Sequence, residues 1–153
     1  MATHCVYTVT DHAMTDHATG IAARPLDAPR CFKVLSGAAV GRLGFSASAL
    51  PVIVRVNFVI QHQQIILASG EPQVIEAARS GAVACLQVDQ PAKADADGWC
   101  VLATGRLHIA SRSSTSAMAA LPVDPWRLTH PDAYLELDVE IISGQLFGAR
   151  PAG

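Results

Sequence analysis

Charge is scarce in this sequence. Only 16% of its 153 residues are charged and the formal net charge is −2, so no broad basic surface is on offer to nucleic acid or an anionic membrane. No stretch reaches the roughly 20 uninterrupted apolar residues that a membrane span needs, and the N-terminus lacks the basic start and apolar run of a signal peptide. A soluble cytoplasmic protein is the expectation. The cysteines Cys5, Cys31, Cys85 and Cys100 include no C-x-x-C pair, and three of them sit among apolar neighbours. That pattern reads as reduced, buried thiols rather than disulfides or a zinc site. Also absent are the G-x-G-x-x-G and G-x-x-x-x-G-K-[ST] nucleotide motifs and the G-x-S-x-G nucleophile elbow.

What is there is apolar. Half of the residues are hydrophobic, and the length suits one domain with its own core, so a second large domain is not expected. Residues 1–25 hold His4, His12 and His17 among Thr, Ala, Asp and Gly without sustained apolar period. They read as a flexible tail, which cannot by itself fix ligands in the geometry a metal needs. Residues 26–153 form the folded domain.

Asp27 is placed to cap a short helix carrying Cys31, Val34 and Leu35 on one face, with Gly37 ending it. The pattern then turns to strands. Val40–Ser46 is a β-run, a turn is expected around Pro51, and Val52, Val54, Val56, Phe58 and Ile60 alternate onto one face. The polar Gln61–Gln64 reads as a hairpin turn into Ile65–Ala68.

Ser69-Gly70-Glu71-Pro72 resembles a helix start with Ser69 as its cap, and Gly81 is placed to end that helix. Ala82–Asp89 and Gly98–Ala110 are further strands, the second with Arg106 and His108 opposite its apolar side. A second short helix is expected over Ser113–Ala120, then an irregular turn holding Trp126. The last strand begins near Tyr134, and its alternation breaks at Ile141-Ile142, which predicts a bulge there. About six strands with helices at only two points predict a mainly β, six-stranded antiparallel barrel with short inserted helices, since doubly wound folds need a helix between nearly every pair of strands.

On the strand Val54-Arg55-Val56-Asn57-Phe58, Arg55 and Asn57 point the same way, about 7 Å apart, from the face opposite the apolar stripe. An arginine and an amide side by side suit a phosphate and a polar ring edge, and they equally suit solvent. The Ser69-Gly70 helix start offers free N–H groups to an anion, a weak signal alone. His62, His108 and His130 read as surface or hydrogen-bonded core residues.

In order and spacing, VGRLGF (Val40–Phe45), Pro51 with VIVRVNFVI, LASG, ARSG (Ala78–Gly81), VACLQVD (Val83–Asp89), GWCVLATGRL (Gly98–Leu107) and ISGQLFG (Ile142–Gly148) resemble the pyridoxamine 5′-phosphate oxidase-like split-barrel family. The resemblance runs from about Asp27 to Arg150. It implies noncovalent FMN at a homodimer interface, with the deazaflavin F420 or haem as alternatives. It places Arg55, Val56, Asn57 and Phe58 beside the flavin, Ser69 and Gly70 on the phosphate turn, and Trp99 and Cys100 where a partner subunit closes the site.

Three positions depart from the family pattern. Gln73 stands where relatives keep a lysine, with Glu71 nearby; Cys100 replaces a serine; and Ile142-Ser143-Gly144-Gln145 replaces I-T-G-R. Fewer charge-assisted phosphate contacts follow. The expectation is therefore an FMN-dependent oxidoreductase of unknown substrate, and the alternative is a non-catalytic member holding F420, haem or another ligand. For haem, His62 and His108 are the axial candidates outside the tail.

Overall fold

The computed structural model describes residues 21–93, 96–111 and 133–149. The helix expected over Ser113–Ala120, the turn at Trp126, and His4, His12, His17 and His130 lie outside the described residues. In chain order the elements are β1 (Ile21–Leu26), α1 (Ala28–Leu35), β2 (Val40–Ala47), β3 (Leu50–Gln61), β4 (Gln64–Ser69), α2 (Pro72–Arg79), β5 (Val83–Gln90), β6 (Gly98–Ile109) and β7 (Ala133–Ala149).

Every strand pairing is antiparallel, and the strands close on themselves in the order β2, β3, β4, β7, β6, β5 and back to β2. This ring has the six strands expected from the sequence. A seventh, β1, lies outside it and pairs with the far half of β7, Ile21 opposite Ala149 and Leu26 opposite Gly144. It begins within the stretch read as a tail, because Ile21–Leu26 (IAARPL) carries no alternation to announce a strand. Pro25 is tolerated there since β1 pairs on one side only.

The barrel interior is filled by the expected alternating positions. Val56 and Phe58 from β3, Leu43 and Phe45 from β2, Leu86 and Val88 from β5, and Trp99 and Val101 from β6 belong to one core cluster, with Val52, Val54 and Ile60 packed against it. Two helices cover the barrel. In α1 the Asp27 carboxylate accepts from the Arg30 N–H at 3.0 Å, and Cys31 and Leu35 are buried. In α2, Val74, Ala77 and Ala78 are buried where the helix meets β6, β2 and β7.

Three local expectations change. The α2 cap is Glu71, with Pro72 in the first turn, and Ser69 is the last residue of β4. Its hydroxyl oxygen accepts from the Glu71 N–H at 3.1 Å, so it shapes the strand-to-helix turn without capping the helix. The β2–β3 turn falls at Ser48-Ala49, both left-handed (φ 50 and 64), and Leu50-Pro51 already begin β3. Two-residue hairpin turns need that backbone sign to match strand twist, and His62-Gln63 repeat it between β3 and β4 (φ 48 and 66).

The β7 irregularity lies one residue before Ile141-Ile142. Thr104 faces Ile141 while Gly105 faces Val139, which leaves Glu140 as the extra residue. A Cβ on Gly105 would sit 1.8 Å from the Asp138 carbonyl oxygen, so only glycine fits opposite this bulge. The bulge switches the inward set from Leu135 and Leu137 to Ile142 and Leu146, leaving Ile141 exposed.

Candidate functional site

Because β3 alternates, Arg55 and Asn57 leave the barrel on its outer face. The register carries that face across five strands: Arg55 opposes Arg42, Arg42 opposes Gln87, Gln87 opposes Leu102 and Leu102 opposes Ser143. One row away, Cys100 lies between Asp89 and Gln145. The outer wall therefore collects side chains from β2, β3, β5, β6 and β7 that are far apart in sequence.

Two polar-lined cavities lie on this wall, beside a wider apolar hollow of about 450 Å³ bordered by Ile53, Val83, Cys85, Leu102 and Thr104. The first, of about 200 Å³, is lined by Arg42, Arg55, Gln87 and Asp89. The second, of about 310 Å³, is lined by Pro25, Gln87, Cys100, Leu102, Gln145 and Phe147. Gln87 borders both. Its amide donates to the Asp89 carboxylate at 3.2 Å and lies 3.9 Å from the Cys100 sulfur. The first cavity is ionic, with Arg42 Nη1 3.6 Å from Asp89 Oδ1. The second pairs apolar walls with amides and a thiol, a chemistry suited to a flat, partly polar ring.

Asn57 is the telling residue. Its Oδ1 is buried and has no hydrogen-bond partner, alone in this among the described side chains. Its register partners are Val40 and Ala68, which offer no side-chain donor. A buried acceptor without a donor is costly, and a donor from a ligand or a second chain satisfies it.

The residues expected at the site divide by face. Arg55, Asn57 and Cys100 share the outer face; Arg55 lines the first cavity and Cys100 the second, while Asn57 lies beside Arg55 on β3 and lines neither. Val56, Phe58 and Trp99 point into the core, and their contribution to an outer ligand is limited to the main chain. Ser69 is buried and Gly70 partly so, at the end of β4, one and two residues beyond Ala68 and hence next to the β3 segment carrying Asn57 and Arg55. Gln73 is exposed on the first turn of α2.

Sequence reasoning missed Arg42, Gln87 and Phe147, and noted Gln145 only as the residue standing where relatives keep an arginine. The alternation of VGRLGF and VACLQVD puts Arg42 and Gln87 opposite the core residues Leu43 and Leu86, which was a usable signal. The register that brings them beside Arg55 is a long-range property. Of the haem candidates, His62 occupies the β3–β4 turn and His108 is exposed beside Gly81. Neither lines the two cavities, and no cluster of metal-ligating side chains occurs among the described residues. No described helix is long and apolar enough to cross a membrane.

The family model described as pyridoxamine 5′-phosphate oxidase matches residues 27–146. No curated protein matches the chain in sequence. Among solved structures, a FAD-binding protein from Mesorhizobium loti superposes with a TM-score of 0.68 at 22% identity, covering 84% of this chain and 99% of that one. A FAD-binding protein from Mycobacterium smegmatis gives 0.62 at 19% identity, covering 83% and 100%. A FAD- and haem-binding protein from the same organism gives 0.63 at 14% identity, covering 84% and 76%. At these identities the likeness establishes a shared split-barrel fold.

Proposed function

Because this chain belongs to the pyridoxamine 5′-phosphate oxidase family, we propose that it binds a flavin on the outer wall of β2, β3, β5 and β6 and works as a flavin-dependent oxidoreductase. The observation that carries the reading is the orphaned Asn57 Oδ1 beside the arginines of β2 and β3. Flavins bring what this wall asks for: N–H or O–H donors for a buried acceptor, a phosphate for arginine, and a flat ring for the cavity around Cys100, Leu102 and Phe147. FMN is the simplest fit, and FAD carries the same phosphate.

Bound flavin supplies hydride-transfer chemistry, and the protein supplies binding and orientation. Arg55 anchors the phosphate as a planar fork of donors. Asn57 accepts from the ring or the ribityl chain. Ser69 and Gly70, where β4 ends, close the phosphate side, while Gln73 brings no charge to it. Cys100 and Gln87 border the ring, and Val56, Phe58 and Trp99 fix the strands from inside. Haem is a weaker fit: it needs an axial ligand, and the two described histidines, His62 and His108, lie away from the cavities.

The same wall favours a homodimer. Ile53 is 72% exposed and Val83 57% exposed, and the row through Ile53, Gly44, Cys85, Thr104 and Ile141 is largely uncharged. A second copy seated on this band covers it and closes the open side of both cavities. Mass identification of whatever small molecule the freshly purified protein releases on denaturation tests the reading. A flavin is the expected result, and a stoichiometric non-flavin ligand contradicts it.

A further inference from the structure

The proposed flavin reading leaves one charged group on the wall unused. Asp89 reaches over Arg42, and its position is unexpected for a carboxylate beside a phosphate site. Arg42 and Arg55 are direct cross-strand neighbours. Like charges so placed repel, and an anion between them relieves that repulsion. The carboxylate of Asp89 lies 3.6 Å from Arg42 Nη1.

We infer that Arg42 and Arg55 form a two-armed clamp for a phosphate or carboxylate, and that Asp89 is its built-in competitor, displaced from Arg42 when the anionic ligand binds. Three observations carry this. Both arginines line one cavity together with Asp89 and Gln87, so a ligand group entering it meets all four. The Arg42–Asp89 contact is long, with side chains 65% and 46% exposed, and pairs of that kind are weak and exchangeable.

The third is Gln87. It donates to Asp89 Oδ1 and borders the ring cavity beside Cys100. When the carboxylate is displaced, the same amide is placed to donate to the incoming anion, so the hydrogen bond is exchanged rather than lost. The ligand class is an aromatic or heteroaromatic molecule with an anionic tail, the tail in the first cavity and the flat body in the second. This rests on the flavin reading only for the identity of the body; the clamp itself is a claim about the anion.

The test is a set of calorimetric titrations at low ionic strength with FMN, riboflavin and pyrophosphate against the full chain. Asp89→Asn is expected to tighten FMN and pyrophosphate by about three- to ten-fold, with a gain that shrinks as salt is raised. Arg42→Ala is expected to weaken both by about ten-fold. Riboflavin, which has no phosphate, is expected to respond to neither substitution. In the Arg42→Ala background most of the Asp89→Asn gain disappears, because the two residues act through each other.

An unchanged or weaker affinity in Asp89→Asn overturns the inference. So does an undiminished gain in the Arg42→Ala background, which marks a general charge effect, or a riboflavin response equal to that of FMN, which marks a change in groove shape. If no flavin binds but pyrophosphate shows the expected pattern, the clamp stands and the flavin reading fails. If FMN and riboflavin bind alike and neither substitution matters, the flavin reading survives and the clamp is wrong.

Discussion

Arg42 on β2 and Arg55 on β3 are register partners on the outer face of the barrel, and both line the same cavity. Substituting Arg55 therefore separates a binding role from a surface one. Arg55→Ala is expected to weaken FMN affinity by about ten-fold or more, a loss of about 1.5–3 kcal/mol for a charged hydrogen bond. Arg79→Ala serves as control, since Arg79 is exposed on α2 with Glu76 at 4.0 Å. Equal titration curves for the two variants rule out Arg55 as the anchor.

Asn57 should show opposed effects on stability and binding. Its buried Oδ1 has no donor, so Asn57→Val removes an unsatisfied group and adds a residue that favours strands. Unfolding in urea is expected to show a gain of about 1 kcal/mol, while FMN binding weakens. A loss of stability would mean that the amide is satisfied in the free protein and is structural.

Gly105 faces the bulge in β7, where an added Cβ would meet the Asp138 carbonyl oxygen at 1.8 Å. The obstructing atoms are the backbone of Asp138 and Val139, which leaves nothing flexible to yield. Gly105→Ala is expected to cost at least about 3 kcal/mol, at the severe end for single substitutions, read from the urea midpoint. Ala49→Gly should act the other way. Ala49 holds φ 64 in the β2–β3 turn, and relief of a left-handed non-glycine backbone is worth about 1 kcal/mol.

Much of the scaffold was legible in the sequence, and the reason is periodicity. Val52 to Ile60 alternates so regularly that the core face of β3 is fixed before any partner strand is known, and helix ends are marked by the Asp27 side chain and by Gly81, which lacks one and turns left-handed (φ 65). β1 escaped because IAARPL has no alternation, and Ser69 was misread as a cap because Ser-Gly-Glu-Pro suits a helix start one or two residues either way. Of the site, Arg55 and Asn57 were readable as outward positions on a strand, whereas Cys85 and Cys100, read as buried thiols, are only half-buried. Alternation turns Arg42, Gln87 and Asp89 outward as well, but what joins them to Arg55 is the pairing of β2 with both β3 and β5, a contact between distant segments that no local pattern encodes.

The exposed band on the outer wall gives an assembly prediction. Ile53→Lys with Val83→Lys places two charges in the surface assigned to the second copy. Light scattering at micromolar concentration is expected to show a dimer for the unaltered chain and a monomer for the double variant, with FMN affinity reduced alongside. A wild-type monomer at all concentrations refutes the interface.

The central claim is that this wall holds a flavin, and the most direct measurement is an equilibrium titration of FMN followed by its fluorescence, run on the wild-type chain and on Asn57→Val. Saturable binding of one FMN per chain, weakened in the variant while its fold is retained and its stability is not lowered, is the result predicted. Absence of saturable binding by FMN or FAD, or binding that is indifferent to Asn57, contradicts it.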